Sequence, residues 1–206
     1  MSSWYDRHLL PGLLDFACGL GPIRQRRAAL IPLAQGRVLE VGMGTGLNLQ
    51  HYDRQRVRQL HAVDPAAQMH AKALRRSQAL GLPVTLHALG AEGLPWEDDH
   101  FDTVVCTYTL CSVADPLQAL REMRRVLCPE GQLLFAEHGL APDADVQRWQ
   151  RRLEPGWSRW AGGCRLTRDV PALLREAGFT GAWESGYITR PRSLAYNTWG
   201  RASAAR

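Results

Sequence analysis

"VLEVGMGTGLN", Val38 to Asn48, sets Gly42, Gly44 and Gly46 within five positions, behind an apolar run that carries one acid, Glu40. Two local readings fit. One is a tight turn between a strand and a helix. The other is main chain pressed against a ligand, since glycine has no β-carbon to hold a ligand away. The flanking segments bear on the choice. "RVLEV" reads as a short β-branched strand, and a polar helix is expected to open at Asn48. "QLHAVD" is a second strand that closes on Asp64, followed by a helix with Pro65 near its start and Gly81 past its end. "PVTLHAL", "HFDTVVCTYTL" and "GQLLFAEH" read as three further strands. Between the last two, "PLQALREMRRVLCPEG" is an amphipathic helix with Leu117, Leu120, Met123, Val126 and Leu127 on one stripe, stopped at Pro129 to Gly131.

Strands separated by helices predict crossovers and a parallel sheet. Continuous apolarity in "TVVC" and "QLLFA" fits strands buried on both faces. The expected fold is α/β, a doubly wound Rossmann-like sheet of seven mostly parallel strands with helices on both faces. "FTGAWESGYI" and "SLAYNTWGRAS" supply a terminal antiparallel pair, after a helix in "RDVPALLREAG" stopped by Gly178. Residues 1–206 are expected to form one domain. Within it, 1–35 make a helical cover, 37–138 the ligand-binding core, and 139–170 a Trp-rich cap.

Composition bounds the function. The chain is 45% hydrophobic and carries a formal charge of +5, with Lys72 its single lysine. Arginines spaced by three or four read as solvated helix faces, Arg24, Arg26 and Arg27 among them. No zinc-finger or RNA-binding signature supports nucleic acid. Five cysteines with no C-x-x-C fit reduced thiols in a reducing, cytoplasmic compartment, with no metal expected. The N-terminal stretch is too interrupted to span a bilayer, which leaves peripheral contact with a membrane surface open.

In open α/β sheets ligands bind beyond the carboxyl ends of the strands. Asp64 lies 22 residues after Gly42, where an acid that grips ribose hydroxyls belongs. The loop is G-x-G-x-G rather than the pyrophosphate-binding G-x-G-x-x-G, and Glu40 would repel phosphate. A ribose-bearing cation without phosphate meets these terms, as S-adenosylmethionine does.

"VLEVGMGTGLN", "AVD", "GAEGLPWEDDHFDTVVCTYTLCSV" and "EMRRVLCPEGQLLFAEH" resemble, in order, the motifs of class I S-adenosylmethionine-dependent methyltransferases. The resemblance implies S-adenosylmethionine as cofactor and S-adenosylhomocysteine as product. It implies that Gly42, Gly44 and Gly46 line the methionine moiety, with Glu40 orienting its amino group and Met43 and Asn48 also among the cofactor-binding residues. Asp64 would hold the ribose, Ala91 and Glu92 frame the adenine, and Thr107 face the sulfonium, with Pro65 and Tyr108 as further cofactor-binding residues. The chain has Gly90 where many members carry an aspartate for the adenine amine.

"CTYTLCSV", "AEHG" and "EPGWSRWAGGCRLTRD" are similar to the animal alkyl-thiol S-methyltransferases, which implies a small-molecule thiol acceptor. Those enzymes carry an apolar N-terminal anchor that this chain does not match, so a soluble relative is implied. The first motif is also similar to bacterial phosphatidylethanolamine N-methyltransferases, so a phospholipid amine stays open, as do quinones and other small molecules. His138 is the candidate base, with the alternative that it only hydrogen-bonds the cap. Tyr5, Cys111, Trp157 and Trp160 are candidates to line the acceptor pocket.

Overall fold

The protein's structure, a computed structural model, describes residues 4–204. β1 (Gly36–Val41) pairs in parallel with β2 (Val57–Val63) on one side and β4 (Phe101–Thr107) on the other. Val41 is in register with both Val63 and Cys106. The glycine loop, Asp64 and Thr107 therefore emerge at one level of the sheet. β3 (Thr85–His87) extends the sheet beyond β2, and β5 (Leu127–His138) flanks β4. β6 (Phe179–Tyr187) and β7 (Tyr196–Ala204) complete the order β3-β2-β1-β4-β5-β7-β6, with β7 antiparallel to both neighbours.

Alternate residues of the central strands enter two separate cores, as burial on both faces requires. Leu39, Val41, Val104, Cys106, Leu133 and Phe135 join one core. It is covered by α5 (Pro116–Val126) and α7 (Val170–Glu176). Val38, Val105 and Leu134 join the other, which receives Ala73 of α4 (Ala67–Leu80) and Ile31 of a 3₁₀ turn. Gly81 ends α4 at φ 60° and Gly178 follows α7 at φ 81°, both as expected for left-handed helix stops.

The N-terminal cover is α1 (Trp4–His8), α2 (Leu10–Cys18) and α3 (Gly21–Leu30). Asp15 of α2 latches it to the core, accepting from Thr45 Oγ1 at 2.5 Å, Lys72 Nζ at 2.6 Å and Arg76 at 2.7 Å. Burial pushes the Asp15 carboxyl up, but the hydrogen bonds from Arg76 and Lys72 outweigh it and hold it well below the usual range.

Three elements depart from expectation. No helix opens at Asn48; a single 3₁₀ turn, Leu49–His51, stands there. The loop closes by i→i−3 bonds such as Gly46 N to Met43 O, and the Asn48 side chain makes no helix cap because it turns into the core. The helix before β5 ends at Val126 rather than at Pro129. Leu127 is already extended, paired with Phe101, because burial there wins over helical continuation. Residues expected only as an irregular cap form α6 (Ala144–Trp160), a helix that carries Pro155 internally. Its pattern misleads, since Gln150 is buried while Trp149 and Trp160 are exposed. No helix among the described residues is long and apolar enough to cross a membrane.

Candidate active site

The three glycines answer to different constraints. All have positive φ, at 73°, 56° and 81° for Gly42, Gly44 and Gly46. A β-carbon on Gly42 would lie 2.0 Å from Thr109 Oγ1, so this position is closed by the β4 loop. One on Gly46 would lie 2.7 Å from Leu49 Cδ1 and 3.1 Å from Ala73 Cα of α4. At Gly44 the nearest atom is Met69 Sδ at 3.7 Å. Gly44, part-exposed, is thus the one of the three where an added β-carbon makes only an ordinary contact, while Met43 is buried in the core beneath.

Asp64 faces this loop from the end of β2. Its Oδ2 accepts from Gly44 N at 2.7 Å and its Oδ1 from Ala66 N at 2.8 Å. Burial raises its carboxyl above the ordinary range, against the pull of those two bonds. Each carboxylate oxygen retains a lone pair for a further donor. Pro65, next along, is exposed.

Beneath the loop lies a buried polar network. Glu40 is 1% exposed and accepts from Tyr52 Oη at 2.7 Å and Asn48 Nδ2 at 3.0 Å. Desolvation lifts its pKa to about 7, opposed by those bonds and by the charge of Arg27. Arg27 of α3 donates at 2.6 Å to both Asn48 Oδ1 and Thr107 Oγ1. Sequence reading assigned Arg27 to a solvated face, yet it is 6% exposed. The available signal was its spacing from Ile23, Leu30 and Ile31, the apolar side of α3. Tyr52 was missed altogether. Arg27 Nε and Tyr108 Oη are buried with no hydrogen-bond partner among the described residues. The guanidinium lies 5.2 Å from the Tyr108 ring centroid, and Tyr108 holds a φ of 54°.

Ala91 is buried in the core beside β4. The Glu92 carboxylate is turned away, accepting from Ala114 N at 3.2 Å and Asp115 N at 3.4 Å. Its work in the structure is to order the loop before α5.

At the ends of β4 and β5 the chemistry changes to sulfur and imidazole. His138 Nε2 lies 2.8 Å from Cys164 Sγ, and Trp157 Nε1 donates to the same sulfur at 3.2 Å. Cys111 completes the group: the Cys111, His138 and Cys164 ligand atoms lie within 4.8 Å of one another. The neighbouring Cys164 thiol holds the Cys111 thiol well below its usual pKa, and Cys111 in turn raises Cys164. Burial alone would lower the His138 pKa; the charge and hydrogen bond of Cys111 together outweigh it and raise it. Glu137, fully buried, accepts from Thr109 N at 2.8 Å and Leu110 N at 3.2 Å, fixing the turn that carries Cys111. All five cysteines are free. Trp157 packs on Cys111 and Cys164, whereas Trp160 is 62% exposed. Tyr5 reaches the cap by donating to the Trp160 carbonyl at 2.7 Å.

A sheet of this order, with a glycine loop at the end of β1 and an acid ending the next strand, defines a Rossmann-like α/β fold with a ligand site at the carboxyl ends of its strands. A family model described as a methyltransferase domain matches residues 39–135. The chain belongs to the class I S-adenosylmethionine-dependent methyltransferases, and S-adenosylmethionine is its cofactor. It is similar to the thiol S-methyltransferase TMT1B of Homo sapiens, 37% identical over 151 residues that cover 71% of this chain and 62% of that enzyme. It is also similar to the phosphatidylethanolamine N-methyltransferase of Cereibacter sphaeroides, 35% identical over 71% of this chain and 74% of that one. Among solved structures, a SAM-dependent methyltransferase from Thermotoga maritima matches with a TM-score of 0.68 at 20% identity, covering 97% of each chain. The trans-methyltransferase CalH, in complex with SAH, matches with a TM-score of 0.66 at 25% identity, covering 96% of this chain and 59% of that one.

The residues present fit this cofactor. Gly44 leaves main chain uncovered, Asp64 offers two acceptor oxygens, and the unpartnered Arg27 Nε is a buried cationic donor suited to a carboxylate.

Proposed function

We propose that the protein methylates a small thiol, forming a thioether. When bound, the cofactor supplies a methyl group on a sulfonium, an excellent leaving group. The observation that carries the reading is half-buried His138, its Nε2 beside Cys164 Sγ at 2.8 Å, with Trp157 donating to the same sulfur. An imidazole so held, at the end of β5, can take the proton of an acceptor thiol. The acceptor sulfur then forms its bond to the methyl carbon as the donor's S–C bond breaks, the electron pair staying on the donor sulfur. Gly44 main chain and Arg27 would hold the amino-acid end of the cofactor. The Asp64 carboxylate would accept from the ribose hydroxyls, and Ala91 would border the adenine. Glu40 would act through Asn48 and Tyr52, which fill its contacts.

The similarity to thiol S-methyltransferases supports this acceptor. Incubation with labelled cofactor and a panel of aliphatic and aromatic thiols should yield labelled thioethers. His138→Ala should lower turnover more for a high-pKa thiol than for an acidic one; equal losses would remove the proton-transfer role.

A second reading, a phospholipid amine acceptor, has its own observation. Leu9, Leu13, Phe16 and Leu20 are exposed along the N-terminal cover, close to exposed Trp160 through the Tyr5 contact. Exposed arginines 148, 151 and 152 stand beside exposed Trp149 and Leu153 on α6. Such a face suits an anionic bilayer surface. Label appearing in phosphatidylethanolamine vesicles, with none in any thiol, would transfer the assignment to nitrogen.

A further inference from the structure

We propose that Cys111, His138 and Cys164 form a three-ligand site for zinc, with the fourth coordination position open to the methyl acceptor. The site needs no rearrangement of the fold. The three ligand atoms already lie within 4.8 Å of one another. Ligands about 2.0–2.3 Å from a tetrahedral zinc stand roughly 3.5–3.8 Å apart, so small side-chain rotations admit the ion.

The backbone holds the ligands where such a site requires them. Arg165 N donates to the Cys111 carbonyl at 2.8 Å, which ties the segment after Cys164 to the loop that carries Cys111. Arg168 adds two donors to that loop, one to the Leu110 carbonyl and one at 2.5 Å to the Val113 carbonyl. His138 is fixed as the last residue of β5, with its neighbour Gly139 bonded to Tyr196. Donors to the sulfurs are also in place: Trp157 Nε1 to Cys164 at 3.2 Å, and the Ser112 hydroxyl beside Cys111 at 3.5 Å. Hydrogen bonds of this kind orient and tune metal-bound thiolates.

Charge favours the arrangement. Zinc bound by two thiolates and a neutral imidazole is electrically neutral, whereas a bare dication would repel the cationic sulfonium. On binding, both cysteine thiols release their protons to solvent. Three protein ligands with a vacant fourth position are the pattern of catalytic rather than structural zinc. An acceptor thiol taking that position would lose its proton and bind as thiolate. Methylation then neutralises the sulfur and weakens its hold on the metal, releasing the thioether. This last role rests on the thiol acceptor proposed above. It takes over from His138 the removal of that thiol's proton, since a zinc-bound ring nitrogen has no lone pair left to accept one. The metal site itself does not rest on that acceptor.

The test is cobalt(II) reconstitution of the full chain, purified under reductant, with elemental analysis of the zinc form. Equimolar metal and an intense near-ultraviolet thiolate-to-cobalt absorption are expected. Cys111→Ser, Cys164→Ser and His138→Asn should each weaken or abolish it, and Cys128→Ser, at the opposite end of β5, should leave it intact. S-adenosylhomocysteine titration of each variant reports that the cofactor half remains folded. Addition of a small thiol should shift the cobalt visible bands. Absence of the charge-transfer absorption in the folded wild type overturns the site, as does its persistence in Cys164→Ser. Mass spectrometry that finds Cys111 and Cys164 joined as a disulfide under reductant would do the same. A cobalt spectrum unmoved by thiols, together with no thioether product, overturns the thiol reading and the open-position role while leaving the metal site standing.

Discussion

The two halves of the cleft keep their polar groups in different ways. On the β1–β2 side, Glu40, Asn48, Tyr52, Asp64 and the glycine loop are held by bonds mostly within a span of about 25 residues, with Arg27 and Thr107 as the distant members. On the β4–β5 side, Cys111, His138, Trp157 and Cys164 come from three separate segments and meet because the cap is stapled down by the Arg165 main chain and the Arg168 side chain. The first half is a mostly local device, tied to the rest of the fold through Arg27 and Thr107. The second depends on long-range contacts, so the chemistry of the acceptor side can vary while the cofactor side stays as it is.

Substitutions can press on this contrast. Gly42→Val adds left-handed strain and collides with Thr109, so it should destabilise the fold by about 2–5 kcal/mol in chemical denaturation. Gly44→Ala makes the sharper companion. Its β-carbon meets only Met69 Sδ at 3.7 Å, so stability should fall by about 1–2 kcal/mol from strain alone while cofactor affinity drops further. Equal effects at both glycines in calorimetric titration would mean that Gly44 does not face the ligand.

Asp64→Ala should weaken cofactor binding by about 2–4 kcal/mol through lost charge-assisted bonds. It should also loosen the loop, because Gly44 N and Ala66 N lose their acceptor. Arg168→Met removes the staple on Leu110 and Val113 and should cost about 1.5–3 kcal/mol of stability. If the halves are as separate as their contacts indicate, cofactor affinity in that variant stays near wild type while turnover falls. A parallel loss of affinity would break the contrast.

The last effect concerns pH. The folded protein keeps a proton on Glu40 up to about pH 7, whereas the unfolded chain sheds it near the ordinary 4.5. Stability from this group is therefore full at low pH and declines as pH rises through that window, by roughly 1.4 kcal/mol per unit. Glu40→Gln should flatten that slope in denaturation curves collected from pH 5 to 7.5. An unchanged slope would mean that the carboxylate is already ionised in the folded state.

Much of this architecture was legible from residue order. The β-branched "RVLEV", the buried runs "TVVC" and "QLLFA", and the stops at Gly81 and Gly178 each announce an element through local energetics. Elements decided by competition were not legible. The Asn48 helix gave way because its first side chain was drawn to Glu40 and Thr107. The last residue assigned to the stripe before β5, Leu127, was claimed by a sheet pairing with Phe101. Helix α6 hid behind a buried Gln150 whose amide binds Ala141 N and Gly139 O.

Residue order alone settled the alternation of strand and helix, the glycine turn and the acid one strand further on, because spacing along the chain governs those contacts directly. Tertiary packing alone decided that Arg27 goes inside and that Glu92 turns to a loop. It also decided that two cysteines and a histidine, 27 and 26 positions apart in succession, meet in one cluster. Such meetings depend on how the cap folds back over the sheet, and no local periodicity encodes that return.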